Sequence, residues 1–296
     1  MCDEHTVEDN ERFLSERGDE RSGMSRRRFG AATAAAALAL TLPRAANAAE
    51  VVEAEVRVTT PDGEADCHFA HPASGRHPGV IVWPDIVGLR PAFRLMGRRL
   101  AESGYAVLTV NPYYRTASAP VVPPGSSFQD PATRDILMPL ARSLSPATNV
   151  TDAKAFVAFL DAQPAVDAAR PIGTTGYCMG GPMTMRTAAA VPGRIGAGAS
   201  FHGGRLVTDD ADSPHLLVSG MKASYLFAIA ENDDEREPEA KNVLRETFAA
   251  AGLPAEIEVY AGALHGWCPP DSRVYNEAQA ERAWSRLLAL FASALA

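Results

Sequence analysis

Cysteine, aromatic residues and long apolar runs are all scarce in this chain of 296 residues, of which 7% are aromatic. Its 4 cysteines lack the spacing of a metal site, and their small number argues against a disulfide scaffold. No metal or other cofactor is predicted. No apolar run comfortably spans a bilayer, which takes ~20 residues. The net charge is -8 without a basic stripe in the globular part, which argues against nucleic acid as a partner. Small molecules are the expected partners.

Residues 1–48 differ from the rest of the chain and are not predicted to be part of the fold. Ser25–Phe29 reads Ser-Arg-Arg-Arg-Phe, an Ala/Leu-rich run extends from Gly30 to Leu42, and Ala46–Ala48 supplies small residues for cleavage. This order resembles a twin-arginine export signal, which implies a protein folded before export, to the periplasm, and not stably inserted in a membrane after cleavage. The basic start of an ordinary helix, and an uncleaved anchor, are the alternatives.

From residue 49 onward the pattern predicts a single α/β domain, and its 46% hydrophobic content is enough for a full core. Apolar and polar residues alternate on both sides of a Pro-Asp-Gly turn, which predicts an antiparallel hairpin with strands at 51–60 and 64–70. Further strands are predicted at 79–84, 105–110, 171–175, 195–201, 224–230 and 255–260, and helices at 91–103, 133–144, 150–163, 183–190, 237–251 and 276–295. Alternating strands and helices predict a mostly parallel sheet with helices on both faces. The Pro-rich stretch 111–149 is expected to cover the site as a partial lid.

The stretch Gly-Tyr-Cys-Met-Gly-Gly at 176–181 joins a predicted buried strand to a predicted helix. Such an abrupt turn strains its central residue, Cys178, and Gly176 and Gly180 let the strand and the helix approach closely. The thiol is expected at the carboxyl edge of the sheet beside the first N–H groups of a helix, whose dipole favours a thiolate. The pattern is that of a nucleophile elbow with cysteine in place of serine.

A thiol nucleophile needs a base, and the base needs a group that holds its tautomer. In open α/β sheets such groups follow the carboxyl ends of strands, and Asp233 and His265 each follow a predicted strand. The chain order nucleophile, acid, histidine is that of α/β-hydrolases. Asp234 is the alternative acid. The acidic residues at 231–235 could also be a solvated loop with no catalytic role.

These motifs together resemble the dienelactone hydrolases, the carboxymethylenebutenolidase-like branch of the α/β-hydrolase fold. The resemblance covers most of residues 50–296, and Gly-Tyr-Cys-Met-Gly-Gly with the downstream His-Gly pair is its most specific part. It implies hydrolysis of small esters or lactones by a Cys-His-Asp triad. In that triad Cys178 corresponds to the nucleophile, His265 to the base and Asp233 to the acid.

The same resemblance suggests auxiliary residues. Asp85-Ile-Val-Gly matches the family motif Glu-Ile-Phe-Gly, whose carboxylate approaches the resting thiol, although Asp is one methylene shorter. Arg115 resembles the family's substrate-carboxylate arginine, whereas the second arginine has no counterpart at 266–270. Backbone N–H groups of Met179 and Ile86 are expected to bind the oxyanion.

Several of these positions also have a purely structural explanation. Asp85 could form a turn, Arg115 a solvated ion pair, and His202, after the strand at 195–201, a hydrogen-bonded core residue. Trp83 and Trp267 are expected in the pocket wall, where aromatic packing would also place them.

Two other functions stay open beside ester hydrolysis. One is a non-catalytic scaffold that binds a ligand or a partner, against which the intact Cys, Asp and His set argues. The other is a redox-responsive exported thiol protein, although no resolving cysteine is identifiable from spacing. Cys67 and Cys268 could pair, and Cys2 would leave with the signal. The sequence does not indicate an oligomeric state.

Overall fold

The structure, a computed structural model, describes residues 7–13, 15, 42–43 and 48–296. Its strands are β1 (Val51–Thr60), β2 (Gly63–Pro72), β3 (Gly79–Trp83), β4 (Ala106–Val110), β5 (Ile172–Tyr177), β6 (Ile195–Phe201), β7 (Ser224–Ala230) and β8 (Ala255–Tyr260). They form one 8-stranded sheet in the order β1-β2-β4-β3-β5-β6-β7-β8. The β1–β2 and β2–β4 pairs are antiparallel and the other neighbouring pairs are parallel, which confirms the predicted sheet and hairpin.

Helices cover both faces of the sheet. They are α1 (Pro91–Glu102), α2 (Pro131–Arg142), α3 (Pro146–Asp161), α4 (Gly180–Ala190), α5 (Glu231–Arg236), α6 (Ala240–Ala250) and α7 (Glu277–Ala294), with a 3₁₀ helix at Pro214–Gly220. Apolar residues of α1 and α7 pack on one face, and those of α3, α4 and α6 pack on the other. Because both faces are covered, β3 and β4 are buried along their whole length, which explains their continuous apolar sequences.

The two edge strands of the sheet, β1 and β8, carry carboxylates that pair with arginines of the neighbouring helices. On β1 the partners come from α1, and on β8 they come from α7. The pairs are Arg94–Glu55, Arg98–Glu53, Arg282–Glu258 and Arg286–Glu256.

Several helix ends differ from the prediction by two or three residues, and two larger differences have a local chemical explanation. Helix α3 begins at Pro146 instead of 150, because Ser145 caps it in a capping box with Thr148 and Pro146 occupies the first turn. The acidic run at 231–236, expected to be irregular, forms the short helix α5. Its first turn holds Glu231, Asp233 and Asp234, where negative charge is favourable.

The predicted export signal, residues 1–48, lies outside the described residues except for 7–13, 15, 42–43 and 48. In the part of the chain that the structure describes, no helix is both long enough and apolar enough to cross a bilayer. Cys67, Cys178 and Cys268 are buried and outside any disulfide, so the Cys67–Cys268 bond that the sequence left open is not formed.

Candidate active site

Cys178 lies at the turn between β5 and α4, in a left-handed backbone conformation with φ 53°. Its backbone N–H donates to the carbonyl of Phe201 at 3.0 Å, which holds the turn against β6. A non-glycine residue with positive φ is strained, and strain at such a turn is what the elbow motif predicts. The Cys178 residue is only 2% exposed, at the carboxyl end of the sheet.

Gly176 and Gly180 allow this turn because there is no room for a side chain at either position. A Cβ atom on Gly176 would lie 2.1 Å from the carbonyl oxygen of Gly180. A Cβ atom on Gly180 would lie 2.3 Å from the carbonyl oxygen of Trp83. Strand and helix therefore touch through their backbones, and this contact fixes where α4 begins relative to the thiol.

His265 connects the thiol to a carboxylate. Its Nδ1 lies 2.8 Å and 3.0 Å from the two carboxylate oxygens of Asp233, and its side chain hydrogen-bonds Cys178. The backbone N–H of His265 donates to Oδ1 of Asn232 at 2.9 Å. Burial works to lower the pKa of His265, but the charges of Asp233 and Cys178 outweigh burial and raise it to about 10. The imidazole is therefore strongly basic in this state.

The alternative acid, Asp234, faces elsewhere. Both of its carboxylate oxygens accept hydrogen bonds from Nζ of Lys241 at 2.6 Å. The structure thus puts Asp233 against the histidine and Asp234 against the following helix.

Asp85 lies after β3 and is held by an arginine that the sequence reasoning missed. Arg90 donates to its two oxygens at 2.7 Å and 3.0 Å, and the same guanidinium pairs with Asp271 at 2.6 Å and 2.9 Å. The backbone N–H of Val87 also donates to Oδ1 of Asp85 at 2.9 Å. Asp85 therefore also forms the turn that a purely structural role for this residue predicts. Burial raises the pKa of Asp85. The positive charge of Arg90 works to lower this pKa, and the nearby Cys178 works to raise it further.

His202 follows β6 with φ 40° and is buried against His265, their ring centroids 5.0 Å apart. It was expected to be a hydrogen-bonded core histidine, and this is wrong, because neither ring nitrogen has a hydrogen-bond partner among the described residues. Burial and the charge of His265 lower its pKa to about 3, so the ring is neutral. A histidine directly after a buried strand was the sequence signal for this position.

Arg115 is not part of the cavity wall around Cys178. Its guanidinium pairs with Asp62 and with Asp152, the shortest distances to each being 2.6 Å. A substrate carboxylate would have to compete with both carboxylates, so the structure gives Arg115 the ion-pair role instead of the substrate-binding one.

The two tryptophans expected in the pocket wall also lie elsewhere. Trp267 stacks on Tyr260 with centroids 5.4 Å apart, and Trp83 packs on Phe156 at 5.6 Å. Both are almost fully buried in the two cores, where aromatic packing accounts for their position.

A cavity of about 110 Å³ reaches Cys178 and His265. Ile86 and Asp85 form one side of it, and the lid residues 125–129 form another, as expected for the Pro-rich stretch. Val7 and Asn10, from a helical stretch at 7–13, also line it. A larger cavity of about 860 Å³ borders Met179 but contacts neither Cys178 nor His265.

The mostly parallel sheet, the strained strand-to-helix turn at Cys178, and an acid and a histidine after β7 and β8 define an α/β-hydrolase. The sequence model of the dienelactone hydrolase family matches residues 66–295, and the chain belongs to this family.

Relatives agree with this assignment. A provisionally named carboxymethylenebutenolidase of Methylorubrum extorquens is 28% identical over 248 residues, which cover 82% of this chain and 81% of that protein. The carboxymethylenebutenolidase of Rhodococcus opacus is 25% identical over 228 residues, which cover 75% of this chain and 84% of that protein. A crystal structure of a provisionally named dienelactone hydrolase from Klebsiella pneumoniae has TM-score 0.70 and 25% identity, covering 82% of this chain and 99% of that chain. The protein is a hydrolase of this family.

Proposed function

We propose that the protein hydrolyses small carboxylic esters or lactones with Cys178 as the nucleophile, His265 as the base and Asp233 as the acid. The observation that carries the proposal is the continuous contact from the Cys178 thiol through His265 to the Asp233 carboxylate, at a strained turn. The name of the Rhodococcus opacus relative, carboxymethylenebutenolidase, and that of the family support lactones as the substrate class.

Acylation begins when the sulfur of Cys178 attacks the carbonyl carbon of the substrate. His265 holds the proton of the thiol as an imidazolium, which Asp233 stabilises. The backbone N–H groups of Met179 and Ile86 bind the oxyanion, and each such donor is typically worth ~3 kcal/mol in the transition state. The C–O bond then breaks, His265 protonates the leaving alkoxide, and a thioester remains on Cys178.

Deacylation reverses these roles with water as the nucleophile. His265 takes a proton from water, and the hydroxide adds to the thioester carbonyl. The C–S bond then breaks to give the carboxylic acid, and the sulfur of Cys178 leaves as a thiolate paired with the protonated His265, which restores the resting state. In a lactone the alcohol and the acid belong to one molecule, so the product is a single hydroxy acid.

Replacing the nucleophile tests this function. We expect Cys178→Ala to abolish the hydrolysis of 4-nitrophenyl acetate and of small lactones by purified protein, because the thioester cannot form. Cys268→Ala, which removes another buried thiol, should keep the activity. Iodoacetamide should inactivate the enzyme and substrate should protect it. Undiminished turnover by Cys178→Ala would sink the assignment.

We further propose that residues 1–48 form a twin-arginine export signal and that 49–296 is a single periplasmic domain. The motif at 25–29 supports the signal, and the first strand, beginning at Val51 just after the small residues at 46–48, supports the boundary. Joint replacement of Arg26 and Arg27 by lysine should leave the protein in the cytoplasm, as measured by fractionation and by the mass of its N-terminus. Arg12→Lys is the matched control, and export of the double variant would contradict the proposal.

A further inference from the structure

A short helical segment that precedes the twin-arginine motif contributes to the wall of the active-site cavity. Residues 7–13 are helical, and Val7 and Asn10 line the cavity together with Cys178 and His265. Asn10 is only 7% exposed, so the segment is packed against the domain. A substrate that approaches Cys178 from this side meets the segment first.

Asp9 fastens this segment beside the proposed acid. Its carboxylate accepts hydrogen bonds from the guanidinium of Arg236 at 2.8 Å and from Nδ2 of Asn232 at 3.1 Å. A third bond, from Arg12 at 3.0 Å, comes from the segment itself. Arg236 also lies 3.7 Å from Asp233, so Asp9 contacts residues that border the Asp233–His265 pair.

Asn232 and Arg236 form a receptor for a carboxylate. Oδ1 of Asn232 accepts the backbone N–H of His265, which fixes the side-chain amide and turns its Nδ2 donor toward Asp9. The guanidinium of Arg236 lies closer to Asp9, at 2.8 Å, than to Asp233, at 3.7 Å. An amide and a guanidinium that converge on one carboxylate make charge-assisted hydrogen bonds, which are the strong kind.

The arginines that the family resemblance suggested for substrate do not serve this purpose. Arg115 is held by two carboxylates, and residues 266–270 contain no arginine. A substrate carboxylate therefore needs another partner. Arg236 offers one, because it lines a cavity of about 270 Å³ together with Asp233 and His265. Asp9 occupies this partner and Asn232.

We propose that Asn232 and Arg236 bind the carboxylate of a carboxylate-bearing ester or lactone. In the full-length chain Asp9 occupies this receptor, so residues 7–13 compete with substrate. Cleavage after residue 48 would release the competitor together with the export signal. The inference rests on the proposed ester-hydrolase function and adds a receptor for the substrate carboxylate and a means of keeping the precursor inactive.

The first experiment loosens the segment in the full-length protein. Asp9→Asn removes the charge that Arg236 binds, and Glu11→Gln makes the same change at an exposed position of the same segment. Iodoacetamide labelling of Cys178, followed by mass spectrometry, reports access to the thiol without requiring ester hydrolysis. We expect labelling and kcat/KM for 4-nitrophenyl hexanoate to rise about 10-fold in Asp9→Asn, the effect of losing one charged hydrogen bond, and to stay unchanged in Glu11→Gln.

The second experiment tests the receptor in the Asp9→Asn background. The mono-4-nitrophenyl ester of adipic acid and 4-nitrophenyl hexanoate share a leaving group and an acyl length and differ by one carboxylate. We expect Arg236→Gln to lower the ratio of their kcat/KM values about 10-fold, mainly through KM for the adipate ester. Arg236→Lys should give an intermediate ratio, and Arg245→Gln, an exposed position on α6, should keep the ratio.

The outcomes separate the two proposals. Equal labelling of Cys178 in the wild type and in Asp9→Asn would overturn the covering role of the segment. An unchanged ester ratio in Arg236→Gln would overturn the receptor. Faster labelling in Asp9→Asn without hydrolysis of either ester by any variant would overturn the hydrolase function while supporting the covering contact.

Discussion

Asp233 and Asp234 are adjacent in the sequence, yet they have different partners. Asp233 contacts His265 and Asp234 contacts Lys241, because successive residues of a helix point about 100° apart and both lie in the short helix α5. The sequence favoured Asp233 but left Asp234 open as the acid, since an acidic run after a strand does not reveal that it forms a helix. Cys178 and His265 were easier to identify, because glycines and chain order mark their positions.

The contrast between the two aspartates gives a matched test of the proposed triad. Asp233→Asn should lower kcat for 4-nitrophenyl acetate by about 100-fold or more, because His265 loses the charge that stabilises its protonated form. Asp234→Asn, the same change one residue away, should leave kcat within about 2-fold, the range left by the loss of a partly exposed ion pair. Steady-state kinetics of the two purified variants decide this, and the reverse order of effects would assign the acid to Asp234.

Arg115 and His202 mark the limit of residue-level prediction. Both follow strands at the expected edge of the sheet, so position alone suggested a role for Arg115 and a core role for His202. The choice of partner is a three-dimensional property: Asp62 and Asp152 are 53 and 37 positions from Arg115 in the sequence. Neither partner could be read from the residues around it.

At the scale of elements, the strands were predicted better than the helix ends. β6, β7 and β8 lie where they were expected, because apolar runs and alternation depend directly on burial. Helix ends depend on single caps, and the capping box at Ser145 moved the start of α3. The contact between β5 and α4 was foreseen from Gly176 and Gly180, since only glycine permits backbones to approach so closely.

This strand–helix contact should tolerate no side chain. Gly176→Ala would force its Cβ into the backbone of Gly180, 2.1 Å away, and neither backbone can move without displacing α4. We expect a loss of about 3 kcal/mol or more in the free energy of unfolding, measured by urea denaturation. Gly193→Ala is the control, because nothing lies within 4 Å of its Cβ position. A Gly176→Ala protein as stable as the control would show that the elbow can open.

At the scale of the whole molecule, Arg115 joins parts of the chain that are far apart in sequence. It follows β4, while Asp62 lies in the turn between β1 and β2 and Asp152 lies in α3. Asp152 is only 2% exposed, so its charge depends on this arginine and on the hydroxyl of Tyr114. The antiparallel hairpin is thereby attached to the helix layer by an ion pair as well as by apolar packing.

Arg115→Ala should therefore act on stability. Removing one partner leaves the carboxylate of Asp152 buried without its counter-charge, and we expect a loss of about 3 kcal/mol in the free energy of unfolding. Arg205→Ala, which breaks the exposed pair with Asp210, should cost less than about 1 kcal/mol. Thermal and urea unfolding measure both. The proposed preference for carboxylate-bearing substrates should survive Arg115→Ala. A selective loss of that preference without destabilisation would restore the substrate-binding role of Arg115.

The charged outer strands of the sheet have a consequence for encounters between copies of the protein. An exposed edge with free backbone groups can add a strand from another chain and so begin an aggregate. Here β1 and β8 present carboxylates paired with arginines of α1 and α7, so an added strand would have to remove charged groups from water at either edge. Edge-to-edge growth of the sheet is therefore disfavoured at both ends, so folded copies can meet at high concentration without their sheets joining.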